Sequence, residues 1–129
     1  LHVYESGRRF KFWDYRVSHN YALLRAPHTN KIPTNLDLVF GGVEYLSLPT
    51  AIDGLCLEVR ESGFPEFNRI EIRKPDRVFR IQSPVYDYAH WVVAAFCCVI
   101  ENRLDFMESS LDAFLGLGDT LPGTVLARL

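Results

Sequence analysis

Residues 8–19 read RRFKFWDYRVSH, with apolar positions that alternate as Phe10 and Phe12 and then change phase to Trp13, Tyr15 and Val17. Aromatic and β-branched residues at this density fit a pleated, half-buried strand better than a helix. A strict period of two cannot place both sets on one face, so a β-bulge is expected near Phe12. Asn20 is a turn former and Tyr21-Ala22-Leu23-Leu24-Arg25 is short and apolar, which makes residues 8–25 a hairpin turning near residues 18–20. The stretch APHTNKIPTN, residues 26–35, carries two prolines and reads as a surface loop.

Leu36, Leu38 and Phe40 alternate up to Gly41-Gly42, and a second apolar stretch, Val43-Glu44-Tyr45-Leu46-Ser47-Leu48, follows at once. Two glycines between two strands are the strongest hairpin signal in the chain, because tight hairpin turns need positive φ. Residues 49–54 break the sheet, and Leu55, Leu57 and Val59 then alternate towards a core. Residues 61–68, ESGFPEFN, form a loop. Arg69-Ile70-Glu71-Ile72-Arg73 has the pattern of an amphipathic strand, and Lys74-Pro75-Asp76 turns into Val78-Phe79-Arg80-Ile81. The run YAHWVVAAFCCVI, residues 88–100, has no period that settles it. Its valines, isoleucine and phenylalanine favour a strand buried on both faces over a buried helix. Glu101-Asn102-Arg103 reads as a turn and Leu104-Asp105-Phe106-Met107 as a returning strand. Ser109 and Ser110 precede a helix of one or two turns that ends at Gly116 and Gly118.

Short strands at intervals of roughly 8–12 residues define a mainly β fold, α+β at the margin. The expected architecture is an antiparallel sandwich or barrel-like sheet of seven to nine short strands with one short C-terminal helix. The chain of 129 residues is one domain in length. That domain is placed at residues 1–118, with an apolar tail, residues 119–129, that docks on this domain or on a neighbour through Leu121, Val125, Leu126 and Leu129.

Composition removes several classes of function. Hydrophobic residues at 48% and charged residues at 23% exclude a disordered chain. No stretch approaches the roughly 18–20 apolar residues of a membrane-spanning helix. A net charge of −2 supplies no general attraction to nucleic acid or to an acidic membrane surface. Three cysteines, with Cys97 and Cys98 adjacent and Cys56 flanked by leucines, point to free buried thiols and a reducing cytoplasm. From Leu1 onward no basic segment precedes an apolar one, so no secretory signal is expected.

Candidate chemistry is sparse. No Cys-x-x-Cys, His-x-x-x-His or Gly-x-Ser-x-Gly spacing occurs, so neither a metal nor another cofactor is expected, and no catalytic residue is assigned. Charge is uneven: residues 1–31 carry a balance of +4 and residues 101–129 one of −3. The basic, aromatic hairpin bearing Arg9, Lys11, Trp13, Tyr15 and Arg16 could face an acidic ligand. Core aromatics with solvated charges explain it more simply, as they do the cluster Arg69, Arg73, Lys74, Arg77 and Arg80. Phe64 and Phe67 in SGFPEFN, and Tyr86 and Tyr88 in SPVYDYAH, sit where loops usually carry polar residues, and such groups anchor partners. The expected function is therefore a small protein-binding module, of the inhibitor, immunity or adaptor type, acting through these four loop aromatics and a charged rim. Its partner is another protein, and a homodimer is the alternative assembly. The competing reading is a small-ligand-binding protein or enzyme whose apolar pocket involves Trp13, His90 and Trp91, with His90 or His19 as acid/base.

Overall fold

The alternating aromatic stretch near the start of the chain becomes part of the longest strand, β1 (His2–Arg16), and the fold is organised around it. The computed structural model describes residues 2–116 and 123–129. After β1 come β2 (Tyr21–Ala26), β3 (Asn35–Gly41), β4 (Tyr45–Ser47), β5 (Ala51–Arg60), β6 (Arg77–Gln82), β7 (Ala89–Ala94), β8 (Phe96–Asn102), the helix α1 (Leu111–Phe114) and β9 (Thr124–Arg128). All nine strands join one antiparallel sheet in the order β4-β7-β6-β5-β1-β2-β3-β8-β9. The protein is thus mainly β, with one short helix. No helix among the described residues is long and apolar enough to cross a membrane.

β1 pairs with β5 through its first half and with β2 through its last, and its register slips between Ser6 and Arg9 and again between Phe12 and Asp14. The second slip is the expected bulge. Bulges bend a strand and increase its twist, and here the sheet folds over on itself. Phe40 of β3 and Phe79 of β6, four places apart in strand order, meet edge-on with ring centroids 5.3 Å apart. Between the facing halves lies the core, with Phe10, Leu24, Leu38, Leu57, Ile81, Val92 and Val99 all buried.

Each half also buries apolar groups on its outer side. Residues 103–116, including α1, lie over Leu23, Val39, Cys98 and Ile100, and the 61–76 segment lies over Val78, Trp91 and Val93. At one end of the sheet Arg8 of β1 donates from Nη2 to the carbonyls of Ala26, Pro27 and Thr34, at 3.1, 3.1 and 2.8 Å, and so ties down the loop between β2 and β3.

Tertiary packing departs from the sequence pattern at several places. Residues 51–54, expected to break the sheet, begin β5 instead, with Ala51, Ile52 and Asp53 paired to Lys11, Phe10 and Arg9 of β1. The strands flanking Gly41-Gly42 do not pair: β3 lies between β2 and β8, whereas β4 pairs with β7 at the far edge. The glycines form a corner between the two halves instead. Gly41 accepts a hydrogen bond from the Ala95 N–H at 2.9 Å, Gly42 has φ +64°, Val43 N–H donates to Asn20 at 2.9 Å, and Glu44 N–H donates to Val93 at 2.8 Å. A side chain at Gly41 would overlap the Phe96 ring and crowd Tyr21. Gly41→Ala is therefore expected to cost about 1–3 kcal/mol through overpacking, read as a fall in the urea midpoint; an unchanged midpoint would show that both rings can swing clear.

Residues 69–73 are not a strand, because Ile70 and Ile72 turn down onto the Phe67 and Trp91 cluster as loop residues. The apolar run after Tyr88 is extended as expected but divides at Ala95 into β7 and β8, one in each half of the sheet. Residues 104–107 form turns rather than a strand, while Glu101 and Asn102 extend β8. The expected tail supplies β9, paired with β8, with Leu129 and Cys97 exchanging backbone hydrogen bonds at 2.8 and 3.0 Å. Gly118, Leu121 and the boundary placed at residues 118–119 lie outside the described residues.

Candidate binding face

The bulge in β1 builds the first half of the candidate site. Phe12 pairs with Leu24 and Asp14 with Leu23, so Trp13 is the extra residue. Phe10 is buried in the core and Phe12, half-buried, packs against it and also lines the groove, while Trp13 and Asp14 both point to the outer side, with Arg9, Lys11 and Arg16. Across from them the segment Phe106-Met107-Glu108-Ser109 forms the opposite wall of an open groove of about 720 Å³, which Thr50 and Ala51 also line. Trp13 is held between the Arg25 guanidinium, 5.2 Å from its ring, and the edge-on ring of Phe106 at 5.1 Å. Asp14 accepts from Arg16 Nε at 2.9 Å and from Ser109 Oγ at 2.7 Å, and Arg16 also pairs with Asp112 at 2.9 Å.

A buried polar network fixes that wall. Arg25 and Asp37 face each other on β2 and β3, 1% and 0% exposed, joined in a fork by bonds of 2.7 and 2.9 Å. Arg25 Nη1 also donates to the Glu108 carbonyl at 2.8 Å. Asp37 accepts from Asn102 Nδ2, Asn102 accepts from Asn35 Nδ2, and Asn35 donates in turn to the Leu104 carbonyl, each at 2.8 Å. His28 is tied in through its N–H to Asn35 Oδ1 at 2.8 Å. Held from below in this way, the wall presents Phe106 and Met107 outward, 71% and 88% exposed.

The second half of the face is the loop between β6 and β7. Tyr86 and Tyr88 stack with centroids 4.4 Å apart, and both rings stand edge-on to His90, at 5.4 and 5.3 Å. The Tyr86 hydroxyl lies 2.5 Å from His90 Nε2. Val85 and Tyr88 project into solvent. Burial, reinforced by Tyr88 and Asp53, raises the Tyr86 pKa, and burial lowers that of His90. The two halves meet at Asp53, which pairs with Arg9 of the groove at 2.6 Å and whose carbonyl accepts from Ser83 Oγ, at the start of the tyrosine loop, at 2.6 Å.

The structure separates the residues expected to act together. Phe64 and Phe67 are not exposed anchors: they are 4% and 8% exposed and pack on Trp91 at 5.5 and 5.0 Å, because the loop folds back over the outer side of β6 and β7. Tyr86 and Tyr88 do belong to a surface cluster. Trp13, His90 and Trp91 share no cavity, since Trp91 is in the outer cluster with Phe64 and Trp13 lines the groove. His19 sits exposed in the β1–β2 turn with φ +69°, beside Tyr21. Phe106 and Met107 were not singled out by the sequence, although an apolar pair inside D-F-M-E, between turn-forming residues, is the signal that marks them.

The second basic cluster is surface charge held by its neighbours. Arg80 bridges Glu58 and Glu66 at 2.6 and 2.5 Å, Arg77 pairs with Glu61 at 3.4 Å, and Arg73 with Glu71 at 3.0 Å. Cys56, Cys97 and Cys98 are free thiols, and burial raises all three pKa values, that of Cys97 most. Among the described residues no group of three or more His, Cys, Asp or Glu side chains is arranged to hold a metal ion. Comparison of the chain with family models, curated proteins and solved structures gives no match. Fold and site together describe a folded-over antiparallel sheet that presents an aromatic and charged face.

Proposed function

We propose that this chain is a protein-binding module whose docking surface is the face running from the tyrosine loop, across Asp53 and Arg9, to the groove of Trp13, Phe106 and Met107. The observation that carries the reading is the pair Phe106 and Met107, held out into solvent by a buried network beneath them. Aromatic residues, methionine and arginine are the types enriched at the centres of protein interfaces. A wall fixed in advance also lowers the ordering cost of association. The Arg9–Asp53 pair at the middle of the face and Lys11, Arg16 and Glu108 around the groove supply a charged rim that sets register and specificity more than affinity.

An acid/base enzyme built on His90 has less support, because Tyr86 and Tyr88 cover that ring and it does not line the groove. Edge-to-edge self-association has little support as well. The β4 edge is three residues long, and the β9 edge is bulged at Leu126, where Val99 pairs with Ala127 and Ile100 with Val125. Short and bulged edges resist strand addition.

The test is capture of a stoichiometric protein partner by the immobilised chain, repeated with Phe106→Ser/Met107→Ser. Both side chains are exposed, so the melting temperature of the double variant should stay within a few degrees of the wild type. Affinity is expected to fall at least about tenfold, the effect of losing interface anchors. A partner held equally well by the variant, or no partner at micromolar concentration, would overturn the assignment.

A further inference from the structure

We infer that the docking face takes an extended, linear segment of its partner. That segment seats an apolar side chain in an opening beside Phe12, between an acidic residue that meets Lys11 and a basic residue that meets Glu44. The inference rests on the docking reading above and supplies the chemistry of the partner's half.

The opening follows from the way β1 loses a neighbour. Pairing of β1 with β5 ends at Lys11 and Ala51, and the Phe12 N–H donates to the Thr50 carbonyl at 2.9 Å. From Asp14 to Arg16 β1 is paired with β2. On its other side the chain that precedes Thr50 turns away at Pro49 to β4, which pairs with β7. Where the two part lies a second groove of about 350 Å³, lined by Phe12, Tyr15, Val43, Glu44, Tyr45 and Leu46. Phe12 lines this groove and also the groove of Trp13, Phe106 and Met107, so the two meet at its side chain.

The second groove opens on a seam of the main core. Val43 belongs to that core, and Phe12 and Leu46 pack against it half-buried, with Tyr15 exposed beside them. An apolar group seated here removes further apolar surface from water. A cleft between diverging strands admits a protruding chain rather than a flat surface. The bulge at Trp13 works against ladder pairing along β1, so the segment is recognised through its side chains.

Charge selects the sequence of that segment. Of the charged groups lining the two grooves, Arg9 is paired with Asp53, Asp14 and Arg16 with each other, and Glu108 accepts from the Asp105 N–H at 3.0 Å. Lys11 and Glu44 are exposed, and among the described residues neither forms an ion pair. Lys11 lines the first groove and Glu44 the second. Burial and the nearby Glu44 raise the Asp76 pKa, so this end gathers negative charge and favours a cation. Water satisfies both charges in the free chain. A partner that covered them without opposite charges would strand them, so the same two residues attract one class of segment and reject others.

The experiment pans a phage-displayed library of random linear peptides against the immobilised whole chain and measures the affinity of the most enriched peptide as a synthetic probe. Enriched sequences are expected to carry Asp or Glu on one side of an apolar residue and Lys or Arg on the other. Lys11→Glu and Glu44→Lys should each weaken the probe at least about tenfold. Both side chains are exposed, so melting temperatures should stay within a few degrees of the wild type. Reversing the matching charge in the peptide should recover the affinity lost to each variant, which a damaged fold would not allow. No enriched linear peptide, a consensus without the charge pair, or affinity that either reversal leaves unchanged or the exchanged peptide does not recover would overturn the inference. A protein partner lost by Phe106→Ser/Met107→Ser but held equally well by Lys11→Glu and Glu44→Lys would also overturn it, and would leave the docking reading standing.

Discussion

Asp37→Ala is expected to lower the unfolding free energy by about 3–5 kcal/mol, the cost of leaving one member of a buried ion pair without its partner. Arg25 and Asp37 are sealed between the sheet and the segment that crosses it, and the fork joining them is the centre of the network through Asn102 and Asn35. Without the carboxylate, the partners left to the guanidinium among the described residues are the Glu108 carbonyl and the Trp13 ring. For a domain of this size, total stability is on the order of 5–15 kcal/mol, so the loss should move the urea midpoint far down. A second variant separates the charge from the shape. Replacing both partners by apolar residues, Arg25→Met with Asp37→Leu, should recover most of the loss, because no buried charge is then stranded. If the single variant cost less than about 1 kcal/mol, comparable to an exposed pair, the network would not be what holds the groove wall, and the support for a fixed Phe106 and Met107 would go with it.

Phe79→Ala should cost a similar amount, about 3–5 kcal/mol, through lost burial and the cavity left behind. Phe79 is fully buried and meets Phe40 from the opposite half of the folded sheet. The contact joins β6 to β3, which are separated in the sheet by β5, β1 and β2. Truncation therefore weakens the closure of the two halves as well as one strand. Equilibrium urea unfolding measures it, and a loss under about 1 kcal/mol would mean that the halves do not depend on this ring pair. The two substitutions report on separate layers, the outer network and the inner core, so their effects should add within a few tenths of a kcal/mol where no side chain is shared.

Local patterns in the sequence carried the elements whose partners are near in the chain. The hairpin of β1 and β2, its turn and its bulge follow from alternation and from Asn20, because each is decided by residues within a few positions of one another. Gly41-Gly42 shows where this kind of reading fails. Glycine permits positive φ at a two-residue hairpin and equally at a corner, and the choice was made by Phe96, Tyr21 and Ala95, which pack against the pair from distant parts of the chain. Phe64 and Phe67 fail for a related reason. A loop ring is exposed or buried according to whether the loop folds back, and Trp91, more than twenty positions away, supplied the surface that drew them down.

The binding face follows the same division. Trp13, Arg9, Lys11 and Arg16 stand out in the sequence as a basic, aromatic strand, and Tyr86 and Tyr88 as loop aromatics. Nothing local connects the two groups, or brings Phe106 and Met107 opposite Trp13. Those adjacencies come from the Asp53 link between β1, β5 and the tyrosine loop, and from the Arg25, Asp37 and Asn102 row that spans β2, β3 and β8.

By itself, then, the sequence determined that the chain is a mainly antiparallel β domain with a short helix, and which of its strands alternate, since both depend on composition and on a period of two. The tertiary structure decided the strand order, the corner at Gly41 and Gly42, the strand formed by residues 124–128, and which aromatics face solvent. These depend on contacts between residues far apart in the chain, where a single residue type is compatible with several environments and packing selects one.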